Sequence, residues 1–121
     1  MRFLPVLLVA AAMAMPASLA AQKMTPGTWT GTISPPNGGS LEALFDVRVA
    51  GDTTKITIRA DGRAVETTDI KVEKDRLLYT FAPGNSVIRC TLLLATDKSY
   101  SGDCVDDAGA KGVIVMRPPK Q

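Results

Sequence analysis

From Gly27 onward, apolar and polar side chains alternate in short runs, and no window places apolar residues at the spacing of a helix face. In GTWTGTI, Trp29, Gly31 and Ile33 share one side and the threonines the other. LEALFDVRV sets Leu41, Ala43, Phe45, Val47 and Val49 against Glu42, Leu44, Asp46 and Arg48, which predicts a half-buried strand. KITIR repeats the pattern with Ile56 and Ile58 inward, and Asp61-Gly62 then supplies a tight hairpin, because this dipeptide accepts positive φ. After Arg63 the pattern weakens: a fourth strand beginning near Val65 either bends at Thr67 to Asp69 or resumes after a bulge with Ile70 and Val72. RLLYTF predicts a fifth strand with Leu77, Tyr79 and Phe81 inward, and three more follow over Val87 to Ala95, Ser99 to Val105 and Gly112 to Arg117.

The intervening segments SPPNGGS and APGNS read as loops, since proline gives a ladder no N–H donor and glycine breaks strands. Eight short strands, mostly joined by hairpin-length links, predict an all-β, up-and-down antiparallel meander that closes into a small barrel. Closure removes the edges that would otherwise pair with other chains. A two-sheet sandwich is the alternative, but its crossovers need more chain than these links provide.

The two cysteines test this register. A turn centred on Asp97 sets Cys90 opposite Cys104, Leu92 opposite Gly102 and Leu94 opposite Tyr100, all on the apolar face. Opposed residues at a non-hydrogen-bonded site lie within disulfide reach, so a Cys90–Cys104 bridge pinning the hairpin is expected.

The ends and the composition narrow the setting. Arg2, an apolar run from Phe3 to Met15 and the small-residue stretch MPASLAAQ form the layout of a secretory signal peptide over residues 1–20, cleaved after Ala20. Residues 21–26 then form a short N-terminal segment, 27–117 the barrel and 118–121 a tail. The apolar run is short of the roughly 20 residues of a membrane span, so no membrane insertion is expected after cleavage. Export to a secreted or periplasmic location favours the disulfide over free thiols. With 14 Lys and Arg against 12 Asp and Glu, interspersed along the chain, there is no field to steer nucleic acid.

Gly27-Thr28-Trp29 in the first strand of an exported meander, with Arg117 near the end of the last, resembles the calycin pattern of lipocalins. The resemblance implies a latch at the closed end of the barrel, with the Arg117 guanidinium lying across the Trp29 indole and tying first strand to last. Such a contact is worth about 0.5 to 2 kcal/mol. The W-x-G-x-I strand also resembles the opening of small secreted bacterial proteins and of N-terminal modules on some exported α/β-hydrolases. A third likeness is to the periplasmic metalloprotease inhibitors, small exported barrels that feed N-terminal residues into a protease cleft. Ala21 to Pro26 would play that part here.

Little catalytic chemistry is on offer. The chain has no histidine, which removes Ser-His-Asp triads, Cys-His pairs and histidine metal sites. Asp103, Asp106 and Asp107 have the composition of a solvated turn and match no calcium loop. No metal, cofactor or catalytic residue is therefore expected. The expected function is a non-enzymatic barrel that binds a small apolar ligand or serves as an interaction module for an exported protein; the alternative is inhibition of an exported protease through the N-terminal segment. An eight-stranded barrel either fills itself or holds one small ligand. The candidate cavity lining is Phe45, Tyr79, Phe81, Leu92 and Tyr100, with spare room hinted at by Gly31, Ala43 and Gly102.

Overall fold

A computed structural model describes residues 23–120; the expected signal peptide and its cleavage site lie outside the described residues. The chain forms eight antiparallel strands: β1 (Gly27–Ser34), β2 (Leu41–Ala50), β3 (Thr53–Ala60), β4 (Arg63–Val72), β5 (Arg76–Phe81), β6 (Ile88–Leu94), β7 (Tyr100–Asp106) and β8 (Lys111–Arg117). Each pairs with its sequence neighbour, and β1 pairs with β8, so the sheet is a closed up-and-down barrel. In the closing ladder Thr30 stands opposite Arg117, Thr32 opposite Val115 and Ser34 opposite Val113.

The strands sit where alternation places them, within a residue or two at the ends. The ambiguous stretch after Arg63 resolves as one strand with a bulge: Thr68 opposes Thr80, Lys71 opposes Leu78, and the register shifts between them. Asp69 takes φ 52° there. The extra residue reverses the alternation, so Val65 and Thr67 face inward before the bulge and Val72, opposite the buried Leu77, faces inward after it. The β6–β7 register is the one expected from the turn at Asp97, with Cys90 opposite Cys104 and a disulfide across a Cα separation of 4.0 Å.

The inward faces form one core that includes Trp29, Phe45, Val47, Ile56, Leu77, Tyr79, Leu92, Ile114 and Met116, each at most 2% exposed. One end of the barrel, the floor, carries the β2–β3 and β6–β7 turns and the N-terminal segment. Met24 is buried there at 4% exposure, and Thr25 O accepts a 2.8 Å hydrogen bond from Trp29 Nε1. Met24 is thereby seated in the floor, while Lys23, Thr25 and Pro26 are exposed; Ala21 and Gln22 lie outside the described residues. The other end, the mouth, carries the β1–β2 loop, the Asp61-Gly62 turn, the β5–β6 loop and the β7–β8 turn.

Glycines in three strands mark where backbones come unusually close. A Cβ on Gly31 would lie 1.7 Å from Val115 O, one on Gly102 2.1 Å from Thr91 O, and one on Gly112 2.7 Å from Ser34 O. Gly31 and Gly102 therefore do not signal empty space, as the sequence suggested. They let strands bend tightly enough for a narrow cylinder to close. Gly31→Ala is expected to destabilise the barrel by about 1 to 3 kcal/mol, the cost of forcing volume into a packed site. Gly84→Ala, where an added Cβ meets nothing within 4 Å, should stay within about 0.5 kcal/mol, and urea unfolding of the two variants checks the contrast.

Candidate functional site

The mouth of the barrel encloses a cavity of about 280 Å³ to which all eight strands contribute. Its walls are apolar: Ile33 and Leu41 on β1 and β2, Ile58 and Ala60 on β3, Val65 on β4, Phe81 and Ile88 on β5 and β6, Cys104 on β7 and Ile114 on β8. Pro35, Pro36 and Pro83 from the loops extend the apolar lining upward. These loops lack ladder partners because proline cannot donate, which leaves the rim open rather than sheeted over. Leu41 shows the result: it opposes Ile33 on the inward side of the ladder yet remains 40% exposed. Ile58, Phe81, Cys104 and Ile114, at 7% exposed or less, close the cavity from below.

Polar groups are confined to the rim. Arg63 opposes Ala60, which puts it on the inward side at the first position of β4, and its Nη2 donates a 2.9 Å hydrogen bond to Pro83 O in the β5–β6 loop. Asp106 opposes Ile88 at the end of β7. One of its oxygens, Oδ1, accepts from the backbone N–H groups of Ala108 and Ala110 at 2.9 Å each, tying that carboxylate into its own turn. Asp61 lies on the same rim in the β3–β4 turn with φ 55°. Asp103 opposes Thr91 and Val113, on the strand face opposite to that of Cys104. Among the described residues no three Asp, Glu, His or Cys side chains gather as a metal site.

The expected cavity lining is largely corrected. Only Phe81 of the five lines the cavity. Phe45, Tyr79, Leu92 and Tyr100 are packed into the core at 0, 1, 0 and 5% exposure. Alternation shows that a side chain faces inward but not how deep along the axis it lies. Tyr100 opposes Leu94 and Met116 at the floor end, and its ring is 5.8 Å from that of Trp29. Tyr79 reaches across the core to place its hydroxyl 3.6 Å from Met116 Sδ.

The latch is corrected as well. Arg117 opposes Thr30, so it leaves the β1–β8 ladder on the outer face, whereas Trp29, one position earlier, is buried inside. A guanidinium on the outside cannot lie across an indole on the inside. First and last strands are joined by backbone pairing, and the indole is anchored by Thr25 and Tyr100. The cavity residues absent from the expected lining share one legible feature: they are inward positions at the strand ends that meet the mouth loops. Arg63 and Asp106 also belong to that set: Arg63 precedes the strand expected from Val65, and Asp106 falls in an expected turn.

No protein-family model and no curated protein sequence matches this chain. Among solved structures it is similar to a set of designed barrels. A redesigned β-barrel covers 78% of this chain and 91% of its own length at 17% identity and TM-score 0.61. Another, mFAP1, bound to DFHBI, covers 78% and 94% at 16% identity and TM-score 0.61. A de novo fluorescence-activating β-barrel covers 78% and 94% at 20% identity and TM-score 0.58. At these identities the likeness shows the fold class alone, a small closed β-barrel.

Tyr79 gives a test of how the interior is filled. Burial pushes its phenol above the ordinary value of 10.0, so the folded barrel keeps the proton after the unfolded chain has released it. Stability from this group is therefore full below about pH 10 and declines as pH rises beyond it. Tyr79→Phe should change stability by less than about 1 kcal/mol at neutral pH, because a thioether is a weak acceptor. The same variant should lose less stability than the parent between about pH 9 and pH 11 in urea titrations.

Proposed function

We propose that this chain is an exported, non-enzymatic barrel that binds a small apolar molecule in its mouth. The observation that carries this reading is the cavity itself: about 280 Å³, walled by apolar side chains from every strand, with its few polar groups at the rim. Sites that hold drug-sized molecules usually enclose roughly 300 to 1,000 Å³, and an apolar wall with a few placed polar groups is their common composition. The volume therefore suits a molecule at the small end of that range. The designed barrel mFAP1, of the same fold, is bound to DFHBI; this supports the use of such a cylinder as a receptor without identifying what this one holds.

The export half rests on the leader-like first 20 residues read from the sequence and on a disulfide suited to an oxidising compartment. The non-enzymatic half rests on the absence of any histidine and on both cysteines being held in the disulfide.

The test is to fill the cavity from its wall. Ala60 lies on the inward side at the mouth end of β3 and is only partly exposed. The neutral apolar dye N-phenyl-1-naphthylamine should brighten with the parent protein, and Ala60→Trp should weaken its binding by at least about tenfold. Far-UV circular dichroism and the urea midpoint should be retained in the variant. A dye that ignores the parent, or binds the variant equally well, contradicts the reading.

A further inference from the structure

The disulfide stands beneath the mouth, and its two ends are not alike. Cys90 and Cys104 oppose each other on the inward face and both are buried, yet only Cys104 of the pair lines the mouth cavity. Their outer neighbours differ as well. On the β5 side Cys90 opposes Tyr79, whose side chain is buried in the core. On the β8 side Cys104 opposes Gly112, which is partly exposed, brings no side chain and lines the same cavity. Beyond Gly112 come Ser34 and Pro35, also walls of the cavity.

A thiolate opens a disulfide by attacking one sulfur from the side away from its partner, so access decides which sulfur is taken. Opposed side chains on one face lie within contact range, so the Tyr79 ring stands on the approach to Cys90 Sγ, whereas the approach to Cys104 Sγ passes over Gly112 from the cavity. The rim sets Arg63 against Asp61 and Asp106. It therefore offers no attraction to an anionic reagent, and the apolar walls favour a thiol with no other charge.

We propose that the mouth cavity is the route by which small apolar thiols open the Cys90–Cys104 bridge, and that Cys104 is the sulfur they modify. The thiol gives up its proton to water and its sulfur bonds to Cys104 Sγ. The bond between the two cysteines breaks, and the electron pair leaves on Cys90 Sγ, which takes up a proton. A second thiol then attacks the mixed disulfide and departs as the dialkyl disulfide, leaving both cysteines reduced. A molecule seated in the mouth shields the bridge, so this inference goes beyond ligand binding and couples the state of the disulfide to occupancy of the cavity.

The experiment exposes the folded, disulfide-intact protein to propanethiol or to the anionic 2-mercaptoethanesulfonate, quenches exchange with acid and maps the adducts by mass after pepsin digestion in acid. The adduct should sit on Cys104 at least about tenfold more often than on Cys90. Each rate is divided by that of the same thiol on urea-unfolded protein, which removes differences in intrinsic reactivity. On this scale propanethiol should open the folded bridge at least about fivefold faster than the anionic thiol. Ala60→Trp, which fills the cavity from β3, should slow propanethiol at least about fivefold. An adduct chiefly on Cys90 or shared evenly, equal normalised rates, a rate unchanged in folded Ala60→Trp, or a bridge that opens only when the chain is unfolded overturns the proposal. Dye binding is read separately, so the route to Cys104 and the reading of the mouth as a ligand site fail on different results.

Discussion

The structure depends on the closing ladder between β1 and β8. Seven hairpin-like links bring strands together that are already neighbours in sequence, but the eighth pairing joins the two ends of the domain. It has to be made against the entropy of a long closure, and a side chain at Gly31 would obstruct it, since a Cβ there would lie 1.7 Å from Val115 O. Once the ladder forms, no edge is left to pair elsewhere, and the alternating faces acquire an inside and an outside. The polar face, with exposed ion pairs such as Arg59–Asp46, contributes solubility more than stability.

Closure also explains why the cavity sits at one end. Trp29, Phe45, Tyr79, Tyr100 and the seated Met24 occupy the floor and middle, and an eight-stranded cylinder has little space left around so many large side chains. Toward the mouth the inward residues are mainly smaller aliphatics, and the prolines of the loops prevent the ladders from continuing upward. The cylinder is packed below and open above, with charge only where water reaches the rim. This gradient is what makes the molecule a candidate receptor.

Much of this was legible in the sequence because period-two alternation reports faces directly. The strands, their order, the β6–β7 register and the disulfide partners all follow from it. What alternation does not report is depth along the axis, and Phe45, Tyr79, Leu92 and Tyr100 accordingly lie below the cavity rather than in its wall. It also loses phase at a bulge: the register shift between Thr68 and Lys71 is what sets which residues of β4 face inward beyond that point. The proposed contact of Trp29 with Arg117 came from a resemblance, and the β1–β8 register decides against it by setting Arg117 opposite Thr30 on the outer face. At Gly31 and Gly102 the sequence shows a missing side chain but not the carbonyl that occupies its place.

Residue-resolved amide hydrogen exchange tests the closure most directly, because an edge strand leaves alternate N–H groups open to water whereas a ladder on both sides protects nearly all of them. The account predicts that the amides of β1 and β8, on both sides of each strand, exchange as slowly as those of the disulfide-pinned β6–β7 hairpin. Fast exchange of the β1 and β8 amides that face each other, with slow exchange elsewhere, would contradict it.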